Sequence, residues 1–499
     1  MINSPYFNLI ASLINKATAY PEALSAPPLS AENDESLQKQ ADSLLEKQLR
    51  IENNSSHNSI RVDSLKERAI IEFCERAENY YLYCSVISRL EERIDKSDLY
   101  RDLDYETFRG VSTDRSFTCL NTNEDETNIL ILPKVSHPQR IHMITGSDGI
   151  QFPVVTKDAH YWGGHLNRRL QNIFYVFKSD LHGYHLRNFL FRSSLHERRR
   201  DYLNIGFAPV TNKGFCDIMT LRDDIIIRDR MGNKQLRFGD IRLINPSELE
   251  ASFFASYSLA CRNDIDILFG PEMLGTKRMT ETDLLGYHPL FEPAPENRNQ
   301  TPMLTLTLTP TYWRDRQNSL SLFSANGKLI AEQFKQHGFE YKGSKGICIE
   351  DLHGSPKEIV MLHIPKLGRI VFPICADFLQ EYYRDMLIKT LQACLILCPS
   401  YSFGTSSFER MVGVGVPYDV RCIWGNSCSP YAGAKHSPGY PALASTPIIS
   451  EKSSTVRITP QCKGMCKKAC LFRIKIPLNI TGNEWYEDYN ISFDHLFSE

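Results

Sequence analysis

Short apolar runs separated by polar and turn residues dominate the second half of the chain. One run leads directly into Cys375, another ends on Glu272, and a third leads to Lys335 after an Asn-Gly pair. Runs of this length are typical of buried strands, and in an α/β fold the reactive side chains gather where such strands end. The pattern therefore predicts that three strand ends present a thiol, a carboxylate and an ammonium group.

The lysine lies on a predicted hairpin. Asn318 to Phe339 reads as a strand, a turn at the Asn326-Gly327 pair, and a second strand that carries Lys335. Asn-Gly between apolar runs is a strong signal for a tight turn. Upstream, Leu249 to Arg262 has the apolar face of a helix, for which Ser247 is the expected N-cap. Strand, helix and strand thus alternate, as in a layered α/β domain.

The first 200 residues follow a different pattern. Val62 to Ile94 carries apolar residues at helical spacing, and His165 to Phe191 also predicts a helix. Residues 21–59 are polar and carry clusters of Pro, Ser and Asn, which is typical of a linker, although the middle part has helical propensity. We therefore predict a mainly helical N-terminal region over residues 1–200, with a polar linker near 21–59, followed by an α/β domain over residues 201–499.

Composition and charge limit the class of protein. The 499 residues are 42% hydrophobic and 23% charged, which is typical of a globular protein with a sizeable core, and the length predicts two or three domains. The 57 basic and 59 acidic residues nearly cancel, so no globally charged partner is implied. Because the cysteines are scattered, the N-terminus lacks a signal-peptide pattern and no apolar run approaches about 20 residues, we expect a reducing, cytoplasmic location and no membrane partner.

The three strand-end side chains suit attack on a carbon atom bonded to nitrogen. A thiolate is a strong nucleophile, but a thiol is mostly protonated at neutral pH, so an adjacent base or cation must help to ionise Cys375. Glu272 can take the thiol proton and pass it to the leaving amine, while Lys335 stabilises the developing oxyanion. This chemistry needs no metal and no cofactor.

The same positions resemble the nitrilase, or carbon-nitrogen hydrolase, superfamily. Ile374-Cys375-Ala376-Asp377, followed by Arg384, is similar to that family's Ile-Cys-Tyr-Asp segment and downstream arginine. Phe269 to Glu272 looks like its Phe-Pro-Glu segment with one residue inserted, and Asn318 to Lys335 is similar to its hairpin that ends in a lysine. Ala393 to Ser400 resembles its strand that ends in Pro-Ser. The resemblance covers about residues 202–485.

This resemblance implies an α/β fold with a nitrilase-like four-layer α-β-β-α sandwich and a Glu-Lys-Cys catalytic triad. Carried over to this chain, the triad is Glu272, Lys335 and Cys375, and Glu340 is the candidate for a second, supporting glutamate. Asp377 is expected to shape the turn after the cysteine. The resemblance implies hydrolysis of a small-molecule amide or nitrile through a cysteine thioester or thioimidate. It also implies a homodimer or larger homo-oligomer.

Two further functions stay open. The same triad can act as an acyltransferase, and the fold can instead be a recognition or signalling module in a larger assembly, such as a bacterial defence system linked to nucleic acid. The first 200 residues, which the resemblance does not cover, favour the module, whereas the complete triad disfavours it. Arg168 to Arg200 is basic with interleaved aromatic residues, which favours an ordinary helix with a solvated basic face and a packed aromatic face; a docking surface for nucleic acid or another protein is the alternative.

Two other cysteine patterns compete with this assignment. Gly346 to Asp351, which contains Cys348, imitates the nucleophile segment, but it follows Lys335 closely and lacks a long apolar run. Cys462, Cys466 and Cys470 are spaced by four residues and would share one face of a helix, as metal ligands can, yet no fourth ligand is evident. We therefore rank Cys375 first as the nucleophile and leave the question of a metal open.

Overall fold

The fold is known from a computed structural model of the 499-residue chain. The structure describes residues 4–20, 22–25, 30–54, 57–61, 64–92, 100–101, 117–120, 128–133, 141–145, 151–155, 166, 170, 173–191, 202–222, 225–228, 234–280, 306–324, 327, 329–343, 346–364, 368–402, 404–418, 420–429, 439–445, 455–462, 469–477 and 492–497. Among the helices in these ranges, none combines the length and the apolar character needed to cross a lipid bilayer.

Two large mixed sheets form the centre of the molecule. Sheet I has eight described strands, in the order Tyr312–Arg314, Gln317–Ser324, Leu306–Leu308, Ile267–Phe269, Tyr202–Phe207, Cys470–Pro477 and Ser492–Phe497, with Leu329–Phe334 also paired to Gln317–Ser324. Sheet II has nine described strands, in the order Thr455–Ile458, Ala442–Ser445, Arg421–Gly425, Leu395–Pro399, Gly368–Val371, Glu358–Ile364, His185–Phe191, Phe117–Leu120 and Tyr100–Arg101.

Smaller elements surround these sheets. The described α-helices are Ser4–Ala17, Glu22–Ser25, Ala31–Gln48, Ser64–Ala77, Tyr80–Glu92, Phe215–Ile218, Pro246–Arg262, Lys277–Thr280, Ala376–Leu379, Glu381–Asp385 and Ser406–Val414. Lys178–Leu181 and Val416–Tyr418 are 3₁₀ turns, and Met386–Thr390 is a π-helical turn. Paired strands are Arg50–Asn54 with His57–Arg61, Ile129–Pro133 with Ile173–Phe177, Ile141–Thr145 with Gln151–Val155, and Met219–Arg222 with Asp240–Leu243. A four-stranded sheet contains Ile225–Arg228, Lys234–Phe238, Gly346–Glu350 and Glu340–Gly343.

The two large sheets pack face to face. One apolar cluster contains buried side chains of both, including Phe207 and Phe269 from sheet I and Ile423 from sheet II. The sheets approach each other closely at Gly425, where a Cβ atom would lie 2.4 Å from Phe207 Cε2. A side chain larger than hydrogen would therefore push the sheets apart at this contact, because protein interiors leave no room for such an overlap.

Each large sheet carries a helix on its outer face. Helix Pro246–Arg262 packs Leu249 and Phe253 into a cluster that also holds Leu268 of sheet I. On the opposite side, the Phe408 ring of helix Ser406–Val414 stacks on Trp424 with ring centroids 4.9 Å apart. A helix thus packs against each large sheet, and the fold is mixed α/β.

The predicted helix before Glu272 exists, but its expected cap is wrong. Helix Pro246–Arg262 starts at Pro246, so Ser247 lies inside the first turn, and Asn245 holds the N-cap position without a side-chain capping bond. Proline suits the first turn of a helix because it lacks only an N–H group that would have no partner there.

The N-terminal part of the chain has its own apolar cluster. Side chains of the helices Ser4–Ala17, Ala31–Gln48 and Tyr80–Glu92 meet in it, so the middle of the polar stretch 21–59 forms a packed helix. The strand Ile129–Pro133 lies between the two clusters: Ile129 and Ile131 join the helices, whereas Leu130 and Leu132 join the core of the two sheets. This alternation follows from the two-residue period of a strand, and it connects the two cores.

The helix predicted over His165 to Phe191 is wrong. The described residues there form the strands Ile173–Phe177 and His185–Phe191, and the second pairs in parallel with Glu358–Ile364 inside sheet II. A run of consecutive apolar residues such as 173–177 fits the period of a helix and of a strand, and its β-branched and aromatic side chains favour the strand. In the basic stretch, Arg187 is described and lies 3.4 Å from Glu358, while Arg168 and residues 192–200 lie outside the described residues.

Candidate active site

Strand ends of the two large sheets meet at one buried cluster. Glu272 and Lys335 follow strands of sheet I, and Cys375 follows a strand of sheet II. The three residues are buried, and they lie close enough for the charges of Glu272 and Lys335 both to act on the thiol of Cys375. The structure thus brings together residues far apart in sequence, because strands of the two facing sheets end at the same edge.

Lys335 is held between two carboxylates. Its Nζ donates to Glu272 Oε1 at 2.5 Å and to Glu350 Oε2 at 2.5 Å, and its side chain is fully buried. Burial lowers the pKa of Lys335, but the charges of Glu272 and Glu350 outweigh burial and raise that pKa above its usual value. Lys335 is therefore a fixed cation at neutral pH, although the site is closed to water.

Asn318 and Glu350 fix the geometry around this cation. The Asn318 Nδ2 donates to Glu272 Oε1 at 3.1 Å and to Glu350 Oε1 at 3.2 Å, and the Phe339 N–H donates to Glu350 Oε2 at 3.0 Å. Burial raises the pKa of Glu350 above the usual carboxyl range, with the charge of Glu272 adding to this effect and that of Lys335 opposing it. The network holds each carboxylate in one orientation.

The second carboxylate oxygen of Glu272 faces the sheet II segment that contains Ser400 and Tyr401. The Tyr401 N–H donates to Glu272 Oε2 at 3.2 Å, and the Glu272 N–H donates to the Ser400 carbonyl at 3.2 Å. Glu272 is therefore bonded to the strand end of sheet II by its side chain and its backbone. This arrangement holds a carboxylate next to the thiol with few rotamers open to it.

Cys375 has an unusual backbone conformation. Its φ of 48° and ψ of −106° are costly for a residue with a side chain, and such conformations persist only where the surrounding structure enforces them. The Cys375 N–H donates to the Pro399 carbonyl at 2.9 Å, which links the turn to the neighbouring strand. The strained turn lies between strand Gly368–Val371 and helix Ala376–Leu379, where it directs the sulfur into the cluster.

The thiol is protonated at rest. Burial, followed by the charge of Glu272, raises the pKa of Cys375 well above its usual value, while Lys335 and a hydrogen bond from Ser400 lower it. Ser400 Oγ donates to Cys375 Sγ at 3.1 Å. Forming the thiolate therefore requires that a nearby group take the proton and that the remaining charge be stabilised.

Asp377 connects the two halves of the site. Its Oδ1 accepts from the backbone N–H groups of Gln336 at 2.9 Å and His337 at 2.7 Å, and its Oδ2 accepts from Ile374 N–H at 3.0 Å. The residues after Lys335 and before Cys375 are thus bonded to one buried carboxylate. These bonds agree with the turn-shaping role expected for Asp377.

The second glutamate of the cluster is Glu350 and not Glu340. Glu340 is exposed and lies on the strand opposite Ile349, whereas Glu350 bonds to Lys335. Glu350 ends the strand Gly346–Glu350, the segment that imitates a nucleophile signature, and Cys348 of that segment packs in the outer cluster beside helix Pro246–Arg262. The sequence carried no signal for Glu350, because its position depends on pairing within the four-stranded sheet.

The cysteines spaced by four are only partly described. Cys462 is half-buried and Cys470 is buried, whereas Cys466 lies outside the described residues. Within the part of the chain that the structure describes, no three His, Cys, Asp or Glu side chains are grouped so that they could hold a metal ion.

Comparisons of sequence find no match, whereas comparisons of structure find solved structures of low similarity. No family model and no curated protein matches this sequence. A mutant amidase from Nesterenkonia sp. AN1, with the acetamide moiety of fluoroacetamide covalently added at its active site cysteine, matches at 11% identity and a TM-score of 0.33, over 60% of this chain and 91% of that one. The NitFhit protein of C. elegans matches at 13% identity and a TM-score of 0.32, over 60% of this chain and 62% of that one.

Another mutant of the Nesterenkonia amidase is described as belonging to the nitrilase superfamily, the superfamily that this sequence resembles. It matches at 11% identity and a TM-score of 0.30, over 60% of this chain and 92% of that one. Identities and TM-scores of this size carry no argument about activity. The argument for function comes from the geometry of the site.

Proposed function

We propose that the protein is a cysteine-dependent hydrolase of non-peptide carbon-nitrogen bonds, with a small amide or nitrile as substrate. The observation that carries this proposal is the buried Lys335 ammonium, bonded to Glu272 and Glu350, beside a strained Cys375 whose thiol is within range of the charges of Glu272 and Lys335. Burial of a charged set is costly unless the groups pair, and such costly arrangements are typical of catalytic sites.

In the first half of the proposed reaction the enzyme is acylated. Glu272 takes the proton of the Cys375 thiol, and the sulfur attacks the amide carbon to form a carbon-sulfur bond. The oxygen gains negative charge, which the buried ammonium of Lys335 stabilises. The carbon-nitrogen bond then breaks, and the amine leaves with the proton that Glu272 carried.

Water completes the cycle. Glu272, again a carboxylate, takes a proton from a water molecule that attacks the thioester carbon. The carbon-sulfur bond breaks, the acid is released, and the proton returns from Glu272 to the thiol. Glu350 and Asn318 touch no reacting atom; they hold Lys335 and Glu272 in position.

The fold and the assembly belong to the same proposal. The helix packed against each of the two facing sheets supports a nitrilase-like four-layer α-β-β-α sandwich. We also propose a homodimer or larger homo-oligomer, to be measured by light scattering of the purified protein.

Mass spectrometry tests the proposed nucleophile. The purified chain is incubated with a panel of small amides and nitriles, and intact mass together with peptide mapping locates any covalent adduct. An adduct is expected on Cys375 and is expected to vanish in Cys375→Ala, while Cys348→Ala, the matched control in the imitating segment, should behave as the unmodified protein. Turnover that survives in Cys375→Ala would refute the proposal.

Product analysis separates the other functions. With an added amine acceptor, release of a new amide in place of the acid would identify an acyltransferase that uses the same triad. An unmodified Cys375 with every substrate and a stable fold would favour the recognition module.

A further inference from the structure

The hydroxyl of Ser400 lies against the sulfur of the proposed nucleophile. Ser400 directly follows the sheet II strand Leu395–Pro399, and its Oγ donates to Cys375 Sγ at 3.1 Å. The residue is fully buried. Its backbone is fixed on both sides, because its N–H donates to the Gly425 carbonyl at 2.8 Å and its carbonyl accepts from Glu272 N–H at 3.2 Å. The backbone of Ser400 is therefore held where its hydroxyl can reach the sulfur.

Hydrogen-bond donors stabilise a buried thiolate, because they offset the loss of its solvation. Transfer of the thiol proton to Glu272 leaves a negative sulfur in a site closed to water, and burial penalises that charge. Lys335 already donates to two carboxylates, Glu272 and Glu350, so most of its donor capacity is used. Among the hydrogen bonds described at the sulfur, the Ser400 hydroxyl supplies the donor.

We propose that Ser400 is a catalytic residue that stabilises the Cys375 thiolate by donating a hydrogen bond to it. The inference rests on the proposed function, since it assumes that this thiolate is the nucleophile. The hydroxyl keeps its own proton throughout; the proton that moves passes between the thiol and Glu272.

The strength of this bond changes during the reaction. A hydrogen bond to a charged acceptor is about twice as strong as one between neutral groups. The Ser400 bond is therefore strongest while the sulfur carries charge, before attack and again when the thioester breaks, and weak in the neutral thiol and thioester. An interaction that grows as charge develops lowers the barrier, which a uniform contact does not do.

Ser400→Ala tests the proposal without a known substrate. Two quantities are followed from pH 7 to 11: the ultraviolet absorbance of the thiolate, taken as a difference from Cys375→Ala, and the rate at which iodoacetamide alkylates the Cys375 peptide. Iodoacetamide forms a carbon-sulfur bond and releases iodide, so the rate depends on the thiolate. Subtracting Cys375→Ala and mapping the peptide isolate this residue among the 14 cysteines.

The expected result separates a chemical role from a structural one. Loss of a charge-assisted bond should move the thiolate titration upward by about one pH unit or more. At fixed pH on the rising part of the curve, alkylation should slow about three- to tenfold, which is less than the loss of thiolate, because a more basic thiolate is a better nucleophile. The alkylation rate per thiolate should therefore rise about threefold.

Two variants serve as controls. Ser400→Thr keeps a hydroxyl and should restore the titration of the unmodified protein. Ser402→Ala removes a nearby hydroxyl that bonds to Gly404 and not to the sulfur, and it should leave both curves unchanged. Circular dichroism and thermal unfolding confirm that each variant is folded across the pH range.

The possible failures are distinct. A slower alkylation of Ser400→Ala with an unchanged thiolate titration would show that Ser400 only supports the structure, and would overturn the inference. An unchanged rate and titration would overturn it as well. If the adduct screen finds no acyl group on Cys375 of the unmodified protein, or turnover survives in Cys375→Ala, the proposed function fails, and the inference fails with it.

Discussion

At the scale of single residues, the site depends on which carboxylates pair with the buried ammonium group of Lys335. Two carboxylates and one ammonium pair in a space without water, and Asn318 donates to both carboxylates. Glu272 shares its proton-accepting oxygens between Lys335, Asn318 and the Tyr401 N–H, so any change in the partners of Lys335 changes Glu272 as a base.

Glu350→Gln should lower kcat about 10- to 100-fold. Without the charge of Glu350, Lys335 pairs with Glu272 alone, so Glu272 becomes a weaker base for the thiol, and the ammonium loses its fixed position. Turnover is measured with the amide or nitrile identified in the adduct screen. Glu340→Gln is the matched control, because Glu340 is exposed and outside the cluster, and it should retain full activity. Equal losses in both variants would contradict the assignment of Glu350.

Lys335→Met should destabilise the fold, by about 3–5 kcal/mol at pH 7, because it leaves buried carboxylates without their cation. In the folded variant the pKa of Glu350 rises further, since Lys335 opposes the effect of burial. Glu350 of the unmodified protein already has a pKa raised to about 7, so the loss of stability relative to that protein should grow as pH rises above about 7, where only the variant keeps this carboxyl protonated.

Urea unfolding of Lys335→Met at several pH values measures this dependence. Lys389→Met removes a lysine from the partly exposed pair with Asp385 and should cost about 0.5 kcal/mol or less. A difference between Lys335→Met and the unmodified protein that does not grow with pH would contradict the charged pairing of Lys335.

At the scale of elements, the site depends on how a hairpin and a turn are joined. The hairpin around Lys335 could be predicted, because an Asn-Gly pair between apolar runs specifies its turn locally, and the strands Gln317–Ser324 and Leu329–Phe334 are paired as expected. The turn at Cys375 could be located from the run before it. Its strained conformation could not, since contacts distant in sequence enforce it.

Asp377→Asn should reduce kcat about 10-fold or more. The carboxylate accepts three backbone N–H groups from two elements, and an amide offers only one accepting oxygen and turns its NH₂ group towards a donor. The ends of the hairpin and of the turn should then separate slightly, which misaligns Lys335 with Cys375. We expect KM to change less than kcat.

Steady-state kinetics of Asp377→Asn and of Asp385→Asn provide the check. Asp385 pairs with Lys389 at the surface of a neighbouring helix and should tolerate the same replacement. An Asp377→Asn enzyme with unchanged kcat would show that the hydrogen bonds of Asp377 are not needed to align Lys335 with Cys375.

At the scale of the whole molecule, the N-terminal part of the chain contributes strands to sheet II, the sheet that carries Cys375. Strand His185–Phe191 pairs in parallel with Glu358–Ile364, and buried side chains of the first 200 residues, among them Phe174 and Phe189, belong to the core of the two sheets. The guanidinium of the buried Arg369 lies 4.0 Å from the centre of the Phe174 ring.

A chain that starts at residue 201 is therefore expected to be insoluble or unfolded. It would expose the edge of Glu358–Ile364 and the apolar surface that the first 200 residues cover, and such edges invite aggregation. Solubility and circular dichroism of residues 201–499 test this, with co-expression of residues 1–200 as the control that should restore a folded complex. A soluble, active fragment would support two independent domains.

The sequence by itself determined which side chains carry the candidate chemistry, because a strand-ending run, a turn pair and the reactive residue beside them are local signals. It also determined the mixed α/β class and the helix before Glu272. Only the tertiary structure decided that Glu350 and not Glu340 reaches Lys335, that His185–Phe191 is a strand of sheet II, and that Ser400 touches the sulfur. Each of these depends on pairing between segments distant in the chain, which local periodicity and propensity do not encode.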